Sequence, residues 1–227
     1  MRTRVDKLVW IFLLAIMVAA FFVPARADIV DKTVATVSDG VRTELITYSD
    51  LMWQLALEPG VPLNPPLSAD LGRALKTLID QRLFALEAER LPRTAPTDEA
   101  INAQIAELIS YFPSAAEFER RLNLVGFKSV KDENFQRIIS QRLAIEQYLD
   151  FRFRSFVVIT GDDEAKYYRD IYVPDFRRRY PGVLVPTLES KRADIRKTLV
   201  EERVAAQIDT FLEEAKRRTE IVTLSPV

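Results

Sequence analysis

Helix-capping side chains recur along this chain, each followed by apolar residues at three- and four-residue spacing, and this pattern restricts the fold to packed helices. A Ser or Thr oxygen at such a position accepts a backbone N–H that the first helical turn leaves without a partner. Thr47 opens the first helix with Asp50 at its third position; Leu51, Met52 and Leu55 form its apolar side, and Pro59 with Gly60 ends it. Ser68 opens the second, whose Leu71, Leu75, Leu78, Ile79, Leu83 and Leu86 recur to about Arg90. Beyond a loop bounded by Pro92 and Pro96, Thr97 precedes Asp98 and Glu99, acids favoured by the dipole of a helix whose Ile101, Ile105, Leu108 and Ile109 line one face. Ser114 with Glu117 forms a capping box, and Gly126 stands where a left-handed terminating residue is expected. Ser129 with Asp132 starts a long helix to about Phe153, with Phe135, Ile138, Ile139, Ile145 and Leu149 on its core side.

Three further segments complete the pattern. Thr160 with Asp163 caps a helix that Val173 and Pro174 are expected to close, and a proline-punctuated stretch runs from there to Pro186. Thr187 to about Arg217 reads as one helix, with Leu188, Ile195, Leu199, Ile208, Phe211 and Leu212 as its periodic apolar positions. Residues 33–37 and 42–46 are β-rich, and Asp39–Gly40 between them supplies a turn, so a hairpin is expected; residues 220–224 are strand-like again, and 156–159 is a short extended run. The fold class is therefore mainly α, with a small sheet joining the N- and C-terminal segments.

The first residues read as an export signal. Arg2, Arg4 and Lys7 precede an uncharged apolar run over 8–23, shorter than the ~20 residues that span a bilayer, and Ala25-Arg26-Ala27 fits the small-x-small rule. Cleavage between Ala27 and Asp28 is expected, a retained N-terminal anchor being the alternative. Losing the segment changes the chain's formal charge from −1 to about −4. Such a charge offers no field for displacing the counterions of nucleic acid, so no nucleic-acid partner is expected. The domain reading is 1–27 signal, 28–173 helical module, 174–187 connector, and 188–227 a helix and strand packing back.

All 227 residues contain no histidine and no cysteine. That removes Ser/His/Asp triads, cysteine nucleophiles and redox dithiols, along with the ligands zinc and copper favour. A phosphate-cradling loop of the G-x-x-x-x-G-K-[ST] type and a G-x-S-x-G elbow are also missing from the sequence. Asp162, Asp163 and Glu164 cluster, and the macrodipole of the helix they open already accounts for them. The chain is read as a non-enzyme, with no catalytic residue, metal or cofactor.

The run from Val30 to Val41 (Val-Asp-Lys-Thr-Val-Ala-Thr-Val-Ser-Asp-Gly-Val), leading to a helix at Ser49, resembles the mature start of SurA-type periplasmic chaperones. Residues 75–89, the acid-led helix at Thr97, the stretch 118–124 before Gly126 and the helix over 131–154 resemble that family's N-terminal module in order and spacing. Residues 189–224 resemble its returning C-terminal segment. The resemblance implies a helical chaperone module acting in the periplasm. Parvulin prolyl-isomerase domains, which commonly interrupt such proteins and need on the order of 100 residues, have no room between residues 172 and 188; nor has this chain the histidines their active sites commonly use. The resemblance thus implies an ATP-independent chaperone for unfolded exported or outer-membrane proteins, without isomerase activity. Hand-over to outer-membrane assembly machinery fits the same picture, and membrane contact is at most peripheral. The alternative is a non-catalytic docking factor for one envelope partner.

A holdase needs a concave surface with an apolar floor and a polar rim. Candidate client contacts are Met52 and Trp53 on the first helix, and Tyr111, Phe112 and Phe118 around the third and fourth; an ordinary core position is the alternative for each. Interleaved aromatics and arginines over residues 167–180 add Tyr172, Phe176 and Arg178, adhesive in character unless the stretch is a solvated connector.

Overall fold

A computed structural model describes residues 31–88 and 95–226, and residues 32–227 form one compact unit. The signal reading over 1–27, with its cleavage at Ala27 and Asp28, lies outside the described residues.

Strands β1 (Thr33–Ser38) and β2 (Thr43–Thr47) form the expected hairpin, and β3 (Glu220–Thr223) pairs antiparallel on the other side of β1. The turn is held by Asp39, whose Oδ1 accepts the N–H groups of Val41 and Arg42 at 3.0 and 2.8 Å, while Gly40 takes φ +84°. Val34, Ala35, Val37 and Ile46 are buried on the sheet.

Helix α1 (Tyr48–Ala56) begins directly from β2. Its capping box is complete: Thr47 Oγ1 accepts Asp50 N–H, and Asp50 Oδ2 accepts Thr47 N–H. Helix α2 (Ser68–Ala88) buries Leu71, Leu75, Leu78, Leu83 and Leu86, the stripe expected from spacing. Helices α3 (Asp98–Ser110) and α4 (Ala115–Leu124) follow, capped by Thr97 and Ser114. Gly126 closes α4 at φ +96°, with Phe127 N–H on Leu122 O and Gly126 N–H on Asn123 O, the paired bonds of a Schellman ending. Helix α5 (Glu133–Arg152) starts one turn element later than the sequence suggests. Asp132, rather than Ser129, is its cap, accepting Asn134 N–H, while Ser129 Oγ accepts Lys131 N–H in the preceding turn.

Near the centre of the chain a 3₁₀ turn spans Arg154–Phe156, so the extended run begins one residue later than expected, at Val157, whose backbone is extended. One expectation here is corrected: Pro174 does not end a helix. Helix α6 (Gly161–Tyr167) passes through a π-helical turn (Tyr168–Tyr172) into α7 (Val173–Arg179), so the boundary placed at 173/174 falls inside continuous helix. In the π turn Val173 N–H reaches back five residues to Tyr168 O. Widening the helix there relieves the clash that Pro174 has with the preceding turn, and its missing N–H falls where the ladder is already interrupted. The connector is thus only the stretch between Arg179 and Thr187, which caps the long helix α8 (Leu188–Arg218).

The core has three parts. One lies between the sheet, α1, α2 and the end of α8, where Ala215 is buried. A second is aromatic, with Phe112, Phe118, Phe127 and Phe135 in edge-on or tilted contacts at 4.9–6.1 Å between α3, α4 and α5. A third joins Phe84, Tyr148 and Phe153 to Val204 of α8. Among the described residues no helix is long and apolar enough to cross a membrane.

Candidate functional site

The C-terminal end of α5 and the turn after it lie along α8 and leave a groove of about 510 Å³. Its apolar floor is Phe153 and Phe211, Phe156 forms its edge, and Arg152, Arg203 and Glu214 stand on its rim. The floor is anchored from beneath: Phe211 stacks on Phe84 at 5.5 Å and meets Phe153 edge-on at 5.7 Å. The wall is anchored from the side. Arg154 donates from both terminal nitrogens to Glu201 of α8 at 2.6 and 2.9 Å and from Nε to Asp150, and Arg203 donates to Val158 O at 2.7 Å. Glu201 and Asp150 hold the Arg154 guanidinium above its usual value, and Arg154 holds the Glu201 carboxyl below its own.

The groove's outer lip is unusually apolar. Phe156 and Val158 are each 70 % exposed and Phe151 is 58 % exposed, with Phe151 and Phe156 meeting edge-on at 6.2 Å. Exposed apolar side chains scattered singly need no explanation, but three gathered beside a concave apolar floor form a patch of the kind that marks an interaction surface. The sequence signal was present in Phe151-Arg152-Phe153-Arg154-Ser155-Phe156. Aromatics two positions apart on a helix point about 200° apart, so one core face cannot take both.

A second surface follows α6 and α7. Tyr168, Tyr172, Phe176 and Tyr180 stack in sequence at 5.6, 5.9 and 5.0 Å between ring centres, the i,i+4 neighbours of a helix face. The Tyr168 hydroxyl donates to Pro186 O at 2.8 Å and ties the connector down, leaving Leu184 91 % exposed beyond it. Tyr172 and Phe176, both expected as client contacts, are half-buried members of this ladder, and Arg178 is exposed beside them with its guanidinium on Asp175.

The other expected contacts are not gathered into one site. Phe118 is fully buried and Phe112 nearly so, both in the aromatic core, which corrects their assignment as client-facing: neither offers surface while the protein is folded. Met52 is half-buried against the sheet core. Trp53 is half-buried, its ring 5.2 Å from Phe127 and its Nε1–H donated to Val125 O. Tyr111 alone of this group is exposed, and its hydroxyl donates to Glu107, which raises its pKa.

The acidic cluster divides into different roles. Asp163 completes the Thr160 capping box, and those bonds lower its pKa. Glu164 is buried and binds Arg192 and Arg196 of α8. Among the described residues no three acidic groups are arranged to hold a metal ion. No family model matches this chain, and no curated protein matches it.

Proposed function

We propose that this protein is a non-catalytic, ATP-independent chaperone of the periplasm, resembling the SurA-type module without its parvulin domains, and that it holds unfolded exported or outer-membrane proteins. The observation that carries the reading is the groove beside α8: an apolar floor of Phe153 and Phe211, a charged rim, and an exposed lip of Phe151, Phe156 and Val158. A binder that works without nucleotide must grip many apolar sequences weakly, and an open aromatic groove with polar edges does so without demanding one shape. The ladder from Tyr168 to Tyr180 offers a client a second aromatic surface.

The test is aggregation suppression with two unrelated urea-unfolded outer-membrane barrels diluted into buffer, comparing wild type with Phe151→Ser/Phe156→Ser. Both positions are exposed, so the double variant is expected to keep its unfolding midpoint while losing at least about half of its suppression, since surface changes of this kind rarely alter stability. Suppression of neither barrel by the wild type overturns the chaperone reading. Full suppression by the variant, with photo-crosslinks from Phe176 but none from Phe156, moves the client site to the ladder.

A further inference from the structure

A guanidinium enclosed without a counter-ion marks a second site, in a different part of the molecule. Helices α1, α2 and α5 surround a cavity of about 320 Å³. Its charged lining is Arg82, Arg137 and Arg142 against Glu44 and Asp50. Arg82 has counter-charges within the protein, Glu44 at 3.8 Å and Asp50 at 3.6 Å, although its Nε, like that of Arg142, is out of solvent without a hydrogen-bond acceptor. Arg142 is different. Its Nη2 donates to Gln54 Oε1, an orientation fixed because Gln54 Nε2 donates to Glu58, and among the described residues it has no carboxylate within ion-pair distance. Its Nε is out of solvent with no acceptor at all.

Buried cations are normally paired, because a charge taken out of water without a partner is costly. Burial pushes the Arg142 guanidinium below its usual value, with Glu146 and Glu58 opposing the shift from a distance, yet an arginine does not give up its proton in a protein. An acceptor with a negative charge is what this lining lacks. Trp53, Leu78, Ile138 and Ile145, with three alanines, supply the apolar part of the wall.

We propose that this cavity binds a small apolar monocarboxylic acid, its carboxylate on Arg142 and Arg137 and its hydrocarbon against Trp53, Leu78 and Ile145. Charge and size select the class. Arg82 is matched by Glu44 and Asp50, Arg137 is exposed to water, and Arg142 is the one enclosed guanidinium of the lining without a carboxylate in ion-pair distance, so a single negative charge meets the need and a phosphate or dicarboxylate overshoots it. The volume is at the lower end of the small-ligand range, enough for one ring or short chain and its carboxylate. A guanidinium presents parallel N–H donors that match the two oxygens of a carboxylate. The acid is either free or the C-terminus of a polypeptide ending in an apolar residue, and the proposal is independent of the chaperone reading.

Isothermal titration of the full chain with phenylacetate, N-acetylphenylalanine, phenylacetamide and inorganic phosphate tests it. Phenylacetate is expected to bind with a Kd below about 1 mM and phenylacetamide not to bind. Arg142→Gln is expected to weaken phenylacetate at least about tenfold, the scale of a lost bidentate contact. Gln141→Glu, at an exposed position on the same wall, sets a competing carboxylate at the site and is expected to weaken binding about fivefold with the fold intact. Binding of phenylacetate alone assigns the site to free acids, and binding of N-acetylphenylalanine as well assigns it also to chain ends. Absence of binding by both carboxylates, equal binding of phenylacetamide, tighter binding of phosphate, or unchanged affinity in Gln141→Glu overturns the proposal.

Discussion

Glu164 accepts a hydrogen bond from Arg196 Nε at 2.6 Å with its carboxylate out of solvent and the arginine side chain more than half exposed. Arg192, one turn earlier on α8, reaches the other carboxylate oxygen at 3.2 Å. The acid lies inside while its two partners close over it, and this fork pins α6 to the start of α8.

Replacing Glu164 by Gln keeps the size and one acceptor but leaves Arg196 without its counter-charge and Arg192 with Glu189 alone, at 2.9 Å. Breaking fully buried pairs costs about 3–5 kcal/mol. Because both arginines are partly in water, the expected loss is nearer about 2 kcal/mol, read as a lowered urea midpoint with an unchanged slope. A loss below about 0.5 kcal/mol would show that the fork does not hold the arm.

Arg121 of α4 ends helix α1. Its guanidinium donates to the carbonyls of Leu55, Ala56, Glu58 and Val61 at 2.7–3.1 Å, satisfying acceptors that a helix C-terminus leaves open and placing positive charge where the dipole is negative. Arg121→Lys cannot reproduce the fork of donors and is expected to cost about 2–3 kcal/mol; Arg121→Ala should cost about 4 kcal/mol. Thermal unfolding followed by circular dichroism measures both, and a lysine variant as stable as wild type rejects the capping role.

Glu146 has its carboxyl pKa raised, chiefly by desolvation and then by Glu107 and Asp150, against the lowering effect of Arg142. A carboxyl whose folded value exceeds its unfolded value disfavours the folded state whenever it is charged. The penalty is complete above the folded pKa and disappears below the unfolded one, about 4.3. Glu146→Gln is therefore expected to unfold at higher temperature than wild type at pH 7, the difference shrinking as pH falls and vanishing near pH 4. A variant less stable at pH 7 and equal to wild type at pH 4 would reverse the sign and reject the argument.

Local chemistry explains what the sequence made legible. Thr47, Thr97, Ser114, Thr160 and Thr187 cap the helices they were expected to cap, because the bond between a cap and its first turn needs nothing from the rest of the chain. The leucine stripe of α2 and the sheet joining both ends were legible for the same reason: their periods are intrinsic. Arg121 and Glu164 were not. Each is a charged residue on a helix whose burial is decided by a partner some 30 to 65 residues away. Pro174 misled because its usual effect assumes a regular helix before it, and the π turn at Tyr168–Tyr172 supplies an irregular one. Phe118 misled because a large aromatic near a turn looks the same in sequence whether it faces a client or a core.

In the sheet, β1 pairs with β2 on one side and with β3 on the other, and Ala35 meets Thr223 across about 190 residues of chain. A two-stranded hairpin is marginal alone, and an unpaired edge is a template for any extended segment nearby. As the chain emerges, β1 keeps that edge open until the residues after Arg218 have arrived. For that interval the new chain carries an open template of its own, and its last strand is the one that closes it.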